Sequence, residues 1–372
     1  MTPLPARIAL TAPPWYPVPP VGYGGIELVV ALLARELRAA GDEVLLFGEE
    51  NSGLASHPLA PEEWSEDLGR SGERLRELTY AAMALKALQS LGPLDIIHDH
   101  CGMATLLVQA LAEPTPVLHT VHGAIRELER TFYAALEPTV GLVAISEAQR
   151  ASAPELPWVG TVHNAVDTDA LRIGTRAEKD GYLLCLARIC AEKGQHIAIE
   201  VARRTGRRLV LAGKVEPTDA GYEYFERSVR PDIDGDRVIH VHNSAGDDKA
   251  RLLARAAALL APLQWDEPFG LAYVEAMASG TPTIAFPRGA VPELIEPDVS
   301  GFLVEDVDQM SEAVAHADGI DPERCAAVTR DRFSPGAMAR GYHELYEAVR
   351  HGRTPAGAAS DTVVPELIGE EP

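Results

Sequence analysis

Short apolar runs alternate with amphipathic stretches of helical length along most of the chain. "RIALTA" (7–12) precedes a helical pattern "IELVVALLARELRAAG" (26–41), and "EVLLF" (43–47) follows it. Further runs lie at 94–99 ("LDIIHD"), 116–121 ("PVLHTV") and 141–146 ("GLVAIS"), each separated by helix-length segments. A polar, turn-rich break occupies 163–181. The alternation then restarts with strands at 182–187, 208–213, 237–242, 258–263 and 281–286, and helices at 192–205, 219–230, 247–256 and 270–279. Apolar strands in strand–helix–strand order predict parallel sheets covered on both faces. The break near residue 170 divides them into two doubly wound α/β units. Ligands of such sheets sit beyond the carboxyl ends of the strands, so the chemistry belongs to the loops that follow them. A last helix is predicted over 336–350, after Pro335. The tail beyond it is poor in aromatics and reads as disordered.

Composition narrows the function. The 372 residues include 55 Asp and Glu against 33 Lys and Arg, a formal net charge of −22. A sequence-independent nucleic-acid binder needs a basic face, and so does a protein that docks electrostatically on anionic lipid. Neither partner is expected. The four cysteines (Cys101, Cys185, Cys190, Cys325) contain no CxxC pair and read as free thiols of a reducing compartment. No run has signal-peptide or transmembrane character, so a cytoplasmic location without an integral membrane span is expected.

Three stretches carry candidate chemistry. "VGYGGIELVV" (21–30) places glycines 22, 24 and 25 before a helix, where an anion can approach backbone N–H groups. The dinucleotide spacing fails at Glu27, and a flexible turn is the plainer alternative. "LARICAEKG" (186–194) puts Arg188 and Lys193 just past a strand. Two cations there suit a diphosphate, though lone surface cations are common.

"EPFGLAYVE" (267–275) sets Glu267 and Glu275 eight positions apart. Pro268 keeps Glu267 out of helical geometry, while Glu275 falls inside the following helix. Even on one helix they would stand about 80° apart. A glycosidase pair flanks one bond from opposite sides, so acid/base chemistry fits poorly. Exposed N–H groups near Phe269, Gly270 and Leu271 form a ready anion site between the carboxylates. This is a grip.

"HDHCG" (98–102) is tempting as a metal cluster. Strand alternation sends His98 and His100 to one face and Asp99 to the other, which argues against it, and no metal is expected. "RRTGRR" (203–208) is a basic run at a helix end that complements the helix dipole.

"EPFGLAYVEAMASGTPTIAFPRGAVPELI" resembles the donor-site signature of retaining family 4 glycosyltransferases of the GT-B fold. "LARICAEKG" resembles their diphosphate motif, and "APPWYPVPPVGYGGIE", "TVHG", "VAISEAQR" and "VGTVHNAVD" resemble their N-terminal segments. The subgroup most similar includes the glycosyltransferase of the avilamycin (orthosomycin antibiotic) pathway. The resemblance spans about residues 7–350.

It implies two Rossmann-like domains facing across a cleft: 1–168 for the acceptor, 169–335 for a nucleotide-sugar donor. It also implies a helix 336–351 packing back toward the first domain and a tail 352–372. Arg188 and Lys193 would neutralise the leaving diphosphate, Glu275 would bind the ribose and Glu267 the sugar. Phe269, Gly270 and Leu271 would offer backbone to the donor, His122 would lie near the reacting centre, and Gly25 would line the phosphate side. No cofactor is implied beyond the donor, expected to be UDP-linked, with a small-molecule hydroxyl acceptor and no metal. Ala187, Ala165, His242 and Ser244 depart from the usual pattern, the last two near the expected base. A nucleotide-sugar epimerase of the same fold and a non-catalytic nucleotide-sugar-binding protein are the alternatives.

Overall fold

The computed structural model describes residues 5–68, 72–110, 115–136, 140–242 and 244–350. The expected tail lies outside the described residues. Two parallel sheets form the frame. The first contains β1 (Arg7–Thr11), β2 (Glu43–Glu49), β3 (His57–Ala60), β4 (Ile96–Asp99), β5 (Val117–Val121), β6 (Val140–Ala144) and β7 (Trp158–Thr161). The second contains β8 (Leu183–Leu186), β9 (Leu209–Ala212), β10 (Val238–Val241), β11 (Ala258–Ala261), β12 (Thr283–Ala285) and β13 (Gly301–Leu303). Strand orders are 3-2-1-4-5-6-7 and 10-9-8-11-12-13.

The strands β3, β7 and β13 were not expected from the apolar pattern. All three lie at sheet edges and are half-exposed in part, so "HPLA", "WVGT" and "GFL" carry no continuous apolar run. After β2 the chain forms β3 and then a 3₁₀ turn at Glu62–Asp67.

Each order reverses once, at β1/β4 in the first sheet and at β8/β11 in the second. A crevice opens at such switch points, beyond the carboxyl ends of the strands. The loops that follow β1, β4, β8 and β11 are therefore the ones that can line a shared site.

The helix after β1 (Gly25–Ala40) buries Val29, Val30, Leu32, Leu33 and Leu37 against the first sheet and ends at Gly41 in the left-handed conformation. Each such side chain contributes about 1.5–3 kcal/mol on full burial. That anchors the helix's N-terminus at the crevice.

The last helix (Pro335–Arg350) leaves the second half of the chain and packs on the first. Its Met338, Ala339, Tyr342 and Tyr346 join the core of the first sheet. Tyr346 Oη lies 2.7 Å from His98 Nδ1, and Tyr342 Oη lies 2.9 Å from Thr120 Oγ1.

Further contacts hold the two sheets face to face. Ser146 Oγ donates to the Pro268 carbonyl at 2.8 Å. Glu293 accepts from the backbone N–H groups of Glu147 and Ala148 at 2.8 and 2.6 Å and pairs with His163 at 3.1 Å. Burial pushes the Glu293 carboxyl up, but the hydrogen bonds from His163 and the two N–H groups outweigh it and leave the group below its usual value. A β-carbon placed on Gly25 would stand 3.2 Å from Leu271 Cδ1. The halves touch where the site lies.

Candidate active site

The cleft between the sheets encloses about 680 Å³ and is lined by the four switch-point loops together with residues that follow β5, β6 and β7, His122 among them. Its lining includes every residue expected from the sequence except Glu275: Gly25, His122, Arg188, Lys193, Glu267, Phe269, Gly270 and Leu271. Glu275 lies on the helix Leu271–Ala278, which rises from the same loop, and is buried at 6% exposure.

On the wall formed by the second sheet, charged groups are paired with one another. Lys193 ends a 3₁₀ turn (Ala191–Lys193) closed by Gly194 in the left-handed conformation. A β-carbon on Gly194 would come within 2.1 Å of the Pro262 carbonyl oxygen, so only glycine lets this turn lie against the loop after β11. The Lys193 ammonium pairs with the Glu267 carboxylate and sits 4.7 Å above the Trp265 ring. Glu267 Oε2 also accepts from Trp265 Nε1 at 3.2 Å and Tyr273 Oη at 3.4 Å. Arg188 pairs with Glu216, and Glu275 with Lys249 at 2.6 Å.

Each of Arg188, Lys193, Glu267 and Glu275 has an internal counter-charge, because a cation and a carboxylate left alone in a half-buried cleft are costly to desolvate. Gly270 caps the helix Leu271–Ala278 with φ of +105°, and a β-carbon there would strike the Tyr273 ring at 2.3 Å. This glycine turn leaves the first N–H groups of the helix open to the cleft.

The wall formed by the first sheet is organised differently. Beneath it, Asp99 accepts from Thr11 Oγ1 at 2.8 Å and from the Cys101 N–H at 3.2 Å, and pairs with His119 Nδ1 at 2.7 Å. Both ring nitrogens of His98 are engaged, one by Tyr346 and one by Thr120 at 2.9 Å. The rings of His98 and His100 are tilted by 46° to one another, with centroids 4.1 Å apart. Among the described residues, no group of three or more His, Cys, Asp and Glu is arranged to hold a metal ion.

His100 Nδ1 lies 2.9 Å from His122 Nε2, and the other nitrogen of His100 is buried without a partner. Burial, reinforced by neighbouring imidazoles, holds His98 and His100 well below the ordinary histidine value. Burial, and then His119, lowers His122 to about 3. These rings are neutral at pH 7. Glu27, in the first turn of the helix Gly25–Ala40, is 4% exposed, and burial pushes its carboxyl up to about 7.

The sequence reading missed Glu27, Glu77, Trp15 and Tyr133 as lining residues of this wall, and Trp265, Tyr273, Glu216 and Lys249 on the other. Trp265 and Tyr273 lie within or beside the quoted motif and were open to notice. Trp15 and Glu27 also lie inside quoted stretches, whereas Glu77, Tyr133, Glu216 and Lys249 come from distant segments and carry no local signal.

Two family models match this chain in succession. That for Glycosyltransferase Family 4 matches residues 23–170, and that for glycosyl transferases group 1 matches residues 167–321. A D-inositol 3-phosphate glycosyltransferase of Frankia alni is 28% identical, over 90% of this chain and 96% of its own. A protein of the same name from Saccharomonospora viridis is 27% identical, over 82% of this chain and 84% of its own. Among solved structures, AviGT4, a glycosyltransferase involved in avilamycin A biosynthesis, is 27% identical with a TM-score of 0.72. It covers 94% of this chain and 99% of its own. Anabaena HepE, crystallised with UDP and glucose, shares the fold at 17% identity and a TM-score of 0.72, over 92% of this chain and all of its own. With both halves matched in order and the fold shared end to end, the chain belongs to the GT-B glycosyltransferases of group 1 and family 4.

Proposed function

We propose that the protein moves a sugar from a nucleoside-diphosphate-sugar, UDP-linked, to a hydroxyl of a small-molecule acceptor, with retention of anomeric configuration and without a metal. The observation that carries this reading is the charge-paired wall at the β8/β11 switch point. Arg188, Lys193 and the open N–H groups after Gly270 surround one place where a diphosphate fits.

In the reaction, the bond between the anomeric carbon and the diphosphate oxygen breaks and a bond to the acceptor oxygen forms. The acceptor's proton passes to the departing diphosphate. Charge grows on the leaving oxygens, so Lys193 and Arg188 act most strongly in the transition state. As the diphosphate takes Lys193, Glu267 is released from its ion pair to accept hydroxyls of the transferred sugar. Glu275, steadied by Lys249, is suited to the ribose diol. His122, held neutral, can exchange hydrogen bonds beside the reacting carbon without adding charge.

UDP is the first choice because HepE was crystallised with it, although that neighbour shares only the fold. A role in antibiotic or other secondary-metabolite biosynthesis is favoured by the likeness to AviGT4 along nearly the whole chain. The D-inositol 3-phosphate glycosyltransferases are named for a phosphorylated cyclitol, which would need cations on the acceptor wall. Among the described lining residues, the cations are Arg188 and Lys193, both on the donor wall.

Calorimetry with UDP and GDP in EDTA tests the donor side. Binding of at least one is expected, because the two cations supply the counter-charge a metal otherwise gives. Absence of binding until magnesium or manganese is restored would sink the metal-free mechanism.

A further inference from the structure

We propose that the acceptor wall is built for a molecule carrying a protonated amine beside the hydroxyl that is glycosylated, such as an amino sugar or an amine-bearing cyclitol. This rests on the glycosyltransferase reading above and specifies the substrate class of the same cleft. Its centre is Glu27. The carboxylate is buried, lines the cleft and, among the described residues, forms no hydrogen bond or ion pair with another residue; its backbone contact is to its own N–H. A carboxylate in that condition is costly unless a ligand completes it.

The neighbourhood decides which ligand. Glu27 Oε2 lies 3.1 Å from where a β-carbon on Gly24 would stand, at the helix N-terminus that a donor diphosphate approaches. Two anions then meet side by side. A cation between them satisfies both, whereas a phosphate on the acceptor would add a third negative group.

Other groups of the wall point the same way. Glu77, half-buried over Gly102, is a second cleft carboxylate without a hydrogen bond or ion pair among the described residues. The faces of Trp15 and Tyr23 border the same space, and aromatic faces attract ammonium groups. Tyr23 already attracts Lys214, whose Nζ lies 5.5 Å from the ring centroid. The buried, unpartnered nitrogen of His100 offers one further hydrogen bond to a ring hydroxyl. Unpaired carboxylates beside aromatic rings are the chemistry of amine recognition.

The test uses the full chain and whichever UDP- or GDP-sugar it hydrolyses fastest. Release of nucleoside diphosphate without acceptor reports on the donor reading by itself. Matched acceptors then report on this inference: glucosamine, glucose and glucose 6-phosphate, with scyllo-inosamine, scyllo-inositol and scyllo-inositol phosphate. Products are identified by mass spectrometry. At least one amine should exceed its hydroxyl analogue in kcat/KM by about tenfold or more, the worth of a charge-assisted hydrogen bond.

Parity between amine and hydroxyl compounds, preference for a phosphorylated one, or transfer to neither amine while donor is hydrolysed would each overturn it. Release of nucleoside diphosphate from no donor at all would remove the glycosyltransferase reading and this inference with it. Glu27→Gln should bring amine and hydroxyl compounds to within about threefold of each other, the charge assistance being lost. Glu77→Gln, at a half-buried position that carries little folding risk, should narrow the same ratio. Full preference retained in both variants would also overturn the proposal.

Discussion

The two walls of the cleft handle buried charge in opposite ways. On the donor wall every motif charge has a partner: Lys193 with Glu267, Arg188 with Glu216, Glu275 with Lys249. On the acceptor wall Glu27 stands unpaired, and His98, His100 and His122 are held neutral by burial. Paired charges can be exchanged for a charged ligand at small net cost, since each departing partner is replaced by another ion. Unpaired or neutralised groups are poised for a ligand that brings hydrogen bonds or the opposite charge. The contrast is therefore one of ligand type, an anionic donor against an uncharged or cationic acceptor.

The largest effect should come from removing a cation of the donor wall. Lys193→Ala takes away a countercharge to the leaving diphosphate and strands Glu267. Turnover of the donor should fall by roughly two to three orders of magnitude, the usual cost of losing one transition-state donor, while KM changes much less. Steady-state kinetics separate the two. A raised KM with unchanged kcat would show that Lys193 grips only the ground state, and the wall would then be a passive clamp.

The next effect breaks the comparison from the other side, through stability. Unfolded, Glu27 titrates near its ordinary value of 4.5; folded, burial raises it to about 7. The folded chain therefore holds this proton more tightly. The associated stability is complete below the lower value and is lost as pH rises through the upper one. The difference corresponds to about 3 kcal/mol. Histidines 98, 100 and 122 have the opposite sign: with folded values below the ordinary 6.5, they cost stability as pH falls below it. Comparing Glu27→Gln with the parent chain cancels their shared contribution. Between pH 5 and pH 8 the parent should lose roughly 2–3 kcal/mol relative to the variant in urea unfolding. A constant difference across that range would mean Glu27 is not a buried acid.

These walls also differ in how legible they were. The donor wall is written in two short segments, 186–194 and 267–275, because one turn after β8 and one after β11 supply it. Local spacing therefore carried Arg188, Lys193, Glu267 and Glu275. Their partners Glu216 and Lys249 come from other loops and helices, and only the fold brings them near. The acceptor wall is assembled from the segments around Trp15, Glu27, Glu77, His100 and Tyr133; three of these lie in quoted stretches, but only the strand order shows that all five meet. Central strands were readable as apolar runs. Of the edge strands, β10 was readable too, but β3, β7 and β13 were not, since partial exposure removes the run.

Glu275→Gln should come third. Its carboxylate is fixed by Lys249 at 2.6 Å, and a charged hydrogen bond to a ribose hydroxyl is worth about 1.5–3 kcal/mol. Affinity for UDP and for the sugar-bearing donor should fall alike, by roughly tenfold or more. Calorimetry on both ligands checks this. A loss confined to the donor would move Glu275 from the ribose to the sugar.

Glu267→Gln should give the smallest change, and its sign is the sharpest test of the pairing argument. Glutamine can still accept from Trp265 and Tyr273 through its amide oxygen, so the loop geometry is retained. The charge that competes with a diphosphate for Lys193 is gone. A bare nucleoside diphosphate should then bind as tightly as before or up to about fivefold more tightly, the scale of an ion pair in a solvent-reached cleft. Donor turnover should nevertheless fall, because the neutral amide is a weaker acceptor for sugar hydroxyls. Titration with UDP, followed by kinetics with the sugar-bearing donor, reads the two effects separately. A tenfold loss of UDP affinity would mean that Glu267 positions Lys193 rather than competes with the diphosphate for it, and the exchange of ions at the donor wall would have to be abandoned.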